Sequence, residues 1–272
     1  MNFIQRLHRI ELGNLTKFIS VCDQLSLNYF LIGGSLLGAV RHKGFIPWDD
    51  DMDIGMTRND YEQFAKYAPA LLRGDHYFLQ TAYSDSNYGF SYMKLLDRHT
   101  YIEEKGNVND ARKGVFIDIF PFDQIPDDPA LRRSQMTDFK LLDSWIILKA
   151  GYSLIETPLR HFKADPTPAK LANLNDLKQQ REQVMRQYEQ EHFTNLKNLA
   201  SQYAYDREIL TTKESTDLIQ VPFEASIQVK IPANYDAILT RMYGDYMTLP
   251  PEHQQTEKHI SRLIMDNQVF QQ

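Results

Sequence analysis

The stretch Asp51-Met52-Asp53-Ile54 alternates charged and apolar side chains, and that alternation constrains the fold more than any other feature of this 272-residue chain. A β-strand sends successive side chains to opposite faces, so Asp51 and Asp53 share one face, with Cα atoms about 6.6 to 6.8 Å apart, while Met52 and Ile54 enter a core. Two carboxylates so placed repel each other unless a cation lies between them. Hard oxygen ligands of this kind suit Mg²⁺ or Mn²⁺, ions that commonly bridge to substrate phosphates. A solvated acidic loop or a helix N-cap is the plainer alternative, and the apolar interleaving argues against it. A calcium loop fails on inspection. Asp49, Asp51 and Asp53 match its first three ligand positions, but Ile54 stands where the turn glycine belongs and Asp60 stands at the twelfth position.

Upstream, the apolar run 28–32 (NYFLI) leads into Gly33-Gly34-Ser35 and then a helical stretch, Leu36 to Val40. Such a turn lets backbone N–H groups and a helix N-terminus approach a phosphate. A Gly-Gly pair can equally be only a tight turn, and the Gly-Lys-Ser/Thr of a P-loop is missing. The basic cluster Arg41-His42-Lys43 follows. Further along, Asp118 interrupts the apolar run VFIDIF, where a charge needs a partner. If its strand lies beside that of Asp51 and Asp53, three carboxylates form a site for one or two metal ions of the kind used in displacement at phosphorus; a buried salt bridge is the competing role.

The remaining patterns predict an α+β fold, a mixed sheet with flanking helices plus a helical elaboration. Helical spacing covers Leu12–Leu25, and Thr57 with Asp60 reads as a capping box opening a helix with Tyr61, Phe64 and Ala68, ended or kinked by Pro69. Strands are expected at 77–83, 91–97 and 114–123. Helices are expected at Leu131–Ile155 and Leu171–Tyr203, with a Pro-containing linker at 158–168. Alternation returns at 225–231, and a short helix follows, stopped by Gly244. The expected division is a sheet-based core at 1–126, a helical region at 127–214 and a C-terminal piece at 215–272 packing back on the core.

Composition excludes several classes. Hydrophobic residues form 42% and charged residues 24%, ordinary globular values. No run approaches the roughly 18 apolar residues of a membrane span. The net charge of −6 argues against broad attraction to nucleic acid. Cys22 is the single cysteine, which rules out an intrachain disulfide and a Cys-rich zinc site. The first residues do not read as a secretory signal. A reducing cytoplasm is the expected location.

Taken together, Gly33-Gly34-Ser35, LLGAVRHKGFIPWDDDMDIGM, GVFIDIFPFD and NYDAILTRMYGDYMTLPP resemble the LicD/fukutin-related family of phosphotransferases, placed in the nucleotidyltransferase superfamily, over roughly residues 12–260. The fifteen residues between Ser35 and Asp51 exceed the usual superfamily spacing and fit this branch. The resemblance implies a nucleotidyltransferase-like core. It also implies transfer of a phospho-alcohol group, phosphocholine in the best-known members, from a CDP-activated donor to a hydroxyl of a cell-surface glycan or its lipid-linked precursor. By motif, Asp51, Asp53 and Asp118 become the catalytic carboxylates and metal ligands, for Mg²⁺ or Mn²⁺. Gly33, Gly34 and Ser35 face the donor, and Arg41, His42, Lys43 and Lys94 are candidates to stabilise its negative charge. The zinc site of some relatives is not carried over. Trp48 is a candidate face for a quaternary ammonium group, whereas His259 and Glu257 give no interpretable spacing. The implied partners are the donor and a glycan acceptor, not nucleic acid, with peripheral contact at the inner face of the membrane as an option. Two other readings stay open: a nucleotidyltransferase that adds NMP to an acceptor, and a non-enzymatic nucleotide-binding scaffold.

Overall fold

A computed structural model describes residues 1–152, 172–256 and 259–271. It is a mixed α+β arrangement. Helix α1 (Phe3–Leu25) opens with a capping box between Asn2 and Gln5 and buries Leu15, Phe18 and Cys22 as its spacing predicts. Strand β1 (Phe30–Leu31) passes directly into α2 (Gly33–Arg41), so the glycines form the first turn of the helix itself. After the acidic loop come β2 (Asp53–Thr57) and α3 (Arg58–Leu71), then β3 (Tyr77–Gln80), β4 (Met93–Asp97), β5 (Thr100–Glu104) and β6 (Phe116–Ile125).

The main sheet runs β1-β2-β6-β4-β3. Its central pair, β2 and β6, is parallel and sets Asp53 opposite Asp118; β4 joins the other edge of β6 antiparallel, with Lys94 opposite Asp118. The apolar face of this layer, including Ile54, Met56, Ile117 and Ile119, is buried in one core with α1 and α3 residues Phe18 and Phe64. Met52 is buried with them and its carbonyl accepts from the Asp118 N–H at 2.8 Å, so the predicted two-residue alternation holds although Asp51 lies just before the strand. Asn14 in α1 ties the helix to the sheet by donating to the Val115 carbonyl at 3.0 Å.

Long β6 continues to β7 (Asn195–Lys197), which pairs with β8 (Ile209–Thr211). Helices α4 (Pro129–Lys149) and α5 (Leu174–Arg186) pack on each other between these strands in the chain. Arg58 joins three elements, gripping Asp123 of β6 through two hydrogen bonds of 2.6 and 2.7 Å and reaching Glu182 of α5 at 2.8 Å. A short α6 (Thr212–Thr216), the hairpin β9 (Leu218–Phe223) and β10 (Ile227–Pro232), and α7 (Tyr235–Tyr243) follow, and α7 stops at Gly244 as expected. The last hairpin, β11 (Ile260–Met265) and β12 (Gln268–Gln271), pairs with β5 in a separate three-stranded sheet. No described helix is long and apolar enough to cross a membrane.

The structure corrects several expectations. Helix does not run through 171–203: α5 ends at Arg186, and Leu196 sits in a strand because pairing with the far end of β6 outweighs the helical period. The Thr57 hydroxyl donates to Asp60 Oδ2 at 3.1 Å in place of forming a capping box. Strand 28–32 shrinks to two residues, and β5, β7, β8, β9, β11 and β12 carry no period strong enough to read from the chain alone. The helix expected to reach Ile155 stops at Lys149, with Ala150 as its cap and Gly151 at a φ of +82° turning the chain away, while the linker 158–168, Leu171 and Glu257 lie outside the described residues.

Gly55 is enclosed by side chains: a Cβ there would stand 2.5 Å from the Phe30 ring, 2.8 Å from that of Phe122 and 2.9 Å from Ile32. Rings in a packed core cannot withdraw freely, so Gly55→Ala is expected to destabilise the protein by about 1 to 3 kcal/mol. The check is a lowered denaturant midpoint with an unchanged slope.

Candidate active site

Gly33 begins α2 with φ of +54°, a left-handed conformation that favours glycine, and a Cβ there would lie 3.4 Å from Asp53 Oδ2. A Cβ on Gly34 would come within 2.8 Å of Asp49 Oδ2. The glycine pair thus lets a helix N-terminus lie against the acidic segment. Ser35 secures the junction, its Oγ accepting from the Asp53 N–H at 2.8 Å.

Between these elements lies a cleft of about 400 Å³ whose wall includes Gly34, Asp49, Asp51, Asp53, Asp118 and Glu208. Trp48, Tyr92, Phe120, Tyr203, Tyr243 and His259 complete much of the remainder. The three carboxylates singled out from the sequence therefore share one cavity. Asp53 is held well above the usual carboxylate range, first by burial and then by the charges of Asp51, Asp118, Asp49 and Glu208. Asp118 is pushed up to about 7 by burial; Lys94 opposes the shift, and Glu104 and Asp51 add to it.

Lys94, 3% exposed, sits between Asp118 Oδ1 at 3.3 Å and Glu104 Oε1 at 3.2 Å, with its ammonium 3.0 Å from the Phe116 ring centroid. The first of these contacts lacks hydrogen-bond alignment, so Asp118 Oδ1 is buried without an aligned donor among the described residues. Among those residues no three His, Cys, Asp or Glu side chains already stand in a metal-binding arrangement. The donor set nevertheless suits a hard divalent cation: all-oxygen, mutually repelling, and including that unsatisfied buried atom.

The other predicted residues fall differently. Gly33 and Ser35 support the cleft from behind, whereas Gly34 lines it. Arg41 and Lys43 are not on its wall: the Arg41 guanidinium donates to the Tyr246 carbonyl at 2.8 Å and to His42 at 3.0 Å, and Lys43 is exposed on the turn after α2. His42 packs edge-on to Trp48, which does reach the cleft.

Sequence reasoning missed how Asp50 and His259 work. Asp50 is fully buried, and its carboxylate accepts from the backbone N–H groups of His259 and Ile260 at 2.8 and 2.9 Å and from His259 Nδ1 at 2.8 Å. The C-terminal hairpin is thereby clasped to the acidic loop. Glu208, Tyr203 and Tyr243 were also missed. Only Tyr243 lay in a quoted motif; the others come from segments whose position against β2 depends on long-range pairing.

A family model described as LicD/FKTN/FKRP, nucleotidyltransferase domain, matches residues 26–146. Lipopolysaccharide cholinephosphotransferase LicD of Haemophilus influenzae is 30% identical over 262 residues, covering 92% of this chain and 93% of its own length. The chain belongs to the LicD family. Human ribitol 5-phosphate transferase FKRP is 48% identical over 42 residues, a local match covering 15% of this chain and 8% of that protein. This LicD-family chain therefore shares nearly its full extent with a cholinephosphotransferase and a short segment with a ribitol-phosphate transferase.

The raised Asp118 value has a measurable consequence. Between about pH 4 and 7 the folded form holds a proton that the unfolded form has released, so stability falls as pH rises through that window. In divalent-free buffer the wild type should lose stability relative to Asp118→Asn, by up to about 1.4 kcal/mol per pH unit. Urea titrations at pH 5, 6 and 7 measure the difference; parallel curves for the two proteins would contradict the assignment.

Proposed function

We propose that this protein transfers a phospho-alcohol group, phosphocholine or a similar one, from a CDP-activated donor to a hydroxyl of a cell-surface glycan or its precursor. The reaction would take place on a nucleotidyltransferase-like core. The observation that carries the reading is the shared cleft of Asp51, Asp53 and Asp118 beside the N-terminus of α2, in a chain matching a cholinephosphotransferase over nearly its whole length.

In this reading Asp51, Asp53 and Asp118 would hold Mg²⁺ or Mn²⁺. The bound cation supplies countercharge to the donor diphosphate and to the departing phosphate. Gly34 brings backbone N–H groups of α2 toward the donor oxygens, and Ser35 fixes Asp53. The acceptor oxygen forms a bond to the phosphorus that carries the alcohol, the bridging P–O bond breaks, and CMP leaves with the electron pair. Asp118, whose carboxylate faces the cleft, takes the acceptor's hydroxyl proton. Lys94 balances the charge of Asp118, while Arg41 and Lys43, held away from the cleft, are left outside the donor contacts. Trp48, Tyr92 and Phe120 present aromatic surface to a cationic alcohol such as choline. The reading places the protein in the cytoplasm, at the inner face of the membrane when its acceptor is lipid-linked.

The test incubates the purified chain with Mg²⁺, a delipidated lipopolysaccharide oligosaccharide and CDP-choline, CDP-ribitol or CDP-glycerol in turn. One donor should yield CMP and a phospho-alcohol-modified glycan, and Asp51→Ala and Asp118→Ala should each lower turnover by about a thousandfold or more. Nucleotide addition to an acceptor with pyrophosphate release from CTP would replace this reading with a nucleotidyltransferase. Full activity in both variants would overturn the residue roles.

A further inference from the structure

A second cavity, of about 560 Å³, lies on the other side of Tyr92 from the acidic cleft. Tyr92 lines both cavities, and its ring packs 4.3 Å from that of Phe120, which lines the acidic cleft. The second cavity runs between α3, the segment 81–93 and α5, and its wall includes Tyr61, Tyr83, Phe90, Glu62 and Glu182. We propose that this cavity is the acceptor subsite, which binds a neutral, hydroxyl-rich carbohydrate and delivers one of its hydroxyls past Tyr92 to the carboxylates.

The chemistry of the wall selects that class. Aromatic rings offer flat apolar faces on which the C–H face of a sugar ring packs, and carboxylates and amides accept or donate hydrogen bonds to hydroxyls around its edge. Three of the four cations in the wall are committed to the protein, and the fourth, Lys66, is exposed to solvent with its ammonium 4.9 Å from the Tyr67 ring centroid. Lys178 Nζ donates to the Ala82 and Ser86 carbonyls at 2.8 and 3.0 Å. Arg181 donates to the Gly89 and Phe90 carbonyls at 2.7 and 3.0 Å and to Asp143 at 2.6 Å. Arg186 pairs with Glu189 at 2.8 Å. A nucleotide diphosphate would meet these engaged cations together with the carboxylates of Glu62 and Glu182, whereas a neutral glycan asks for no countercharge. Tyr83, 57% exposed at the rim, is a large apolar ring facing solvent with no core function to hold it there. A transferase must also bring two substrates to one reacting point from separate subsites, and a common wall residue supplies that convergence.

The inference rests on the proposed transferase reading only for the destination of the hydroxyl, so binding and turnover are measured separately. Calorimetry with a neutral hexose oligosaccharide, without donor or divalent cation, should give binding that weakens about tenfold in Tyr83→Ala and is retained in Tyr83→Phe. In the transfer assay Tyr83→Ala should raise KM for the oligosaccharide by a similar factor and leave kcat at saturating acceptor unchanged. Absence of oligosaccharide binding by the wild type, equal affinity in Tyr83→Ala, or displacement of the oligosaccharide by CDP-choline would overturn the subsite. Oligosaccharide binding that depends on Tyr83, with no transfer from any CDP-alcohol, would support the subsite and remove the transferase reading. Transfer that is indifferent to Tyr83→Ala would do the reverse.

Discussion

The parallel pairing of β2 with β6 is the constraint from which the site follows. It aligns Asp53 with Asp118 across one step of the ladder and leaves both largely buried, an arrangement that electrostatics opposes. The apolar side of the same strands offsets the cost: Met52, Ile54, Ile117 and Ile119 are fully buried. Lys94, delivered from β4 opposite Asp118, supplies a positive charge that is itself deeply buried and shared with Glu104. The folded state therefore holds a cluster of like charges in place through packing done elsewhere, a common way of preorganising a reactive site.

Three adjacent aspartates show how finely that packing distributes roles. Asp49 and Asp51 line the cleft, while Asp50 turns inward and binds the C-terminal segment through three hydrogen bonds. From the opposite end of the chain, His8 of α1 donates to the Asp49 carbonyl at 2.7 Å and stacks on Phe45. Both ends of the polypeptide thus brace the loop that carries the acidic residues. The C-terminal hairpin is accordingly part of the site's support: β11 pairs with β5, and Ile260 and Leu263 share a core with Leu7 of α1.

What was legible in the sequence was local. Alternation around Asp51 and Asp53, the glycine pair before a helix, and the charge inside VFIDIF each state a requirement that a single element must meet, and the structure places Asp53 and Asp118 side by side. What was not legible depends on pairing across the chain. Leu196 reads as part of a helix until β6 offers it a strand partner, and β11 becomes a strand through register with β5. The basic run Arg41-His42-Lys43 misled for a related reason: its proximity in sequence to the glycines suggested phosphate contact, yet Tyr246, 205 residues away, provides the carbonyl that draws Arg41 aside. Asp50 was unreadable because a buried carboxylate acquires meaning only from the backbone N–H groups that reach it, and those come from residues 259 and 260.

The distribution of charge between the two cavities then separates their tasks. The first is walled by Asp49, Asp51, Asp53, Asp118 and Glu208, and Lys94, which contacts Asp118, is already shared between two carboxylates. On the proposed reading, an anionic donor meets net negative potential there and needs countercharge to enter, so donor and divalent cation bind together or weakly apart. The second cavity holds Lys178, Arg181 and Arg186 against backbone carbonyls and carboxylates, with Lys66 exposed to solvent, which leaves its inner wall fit for a ligand without charge. An acceptor there and a cation-accompanied donor next door would not compete for the same electrostatic partner. Tyr92, which belongs to both walls, is then the surface across which oxygen and phosphorus are brought within reach.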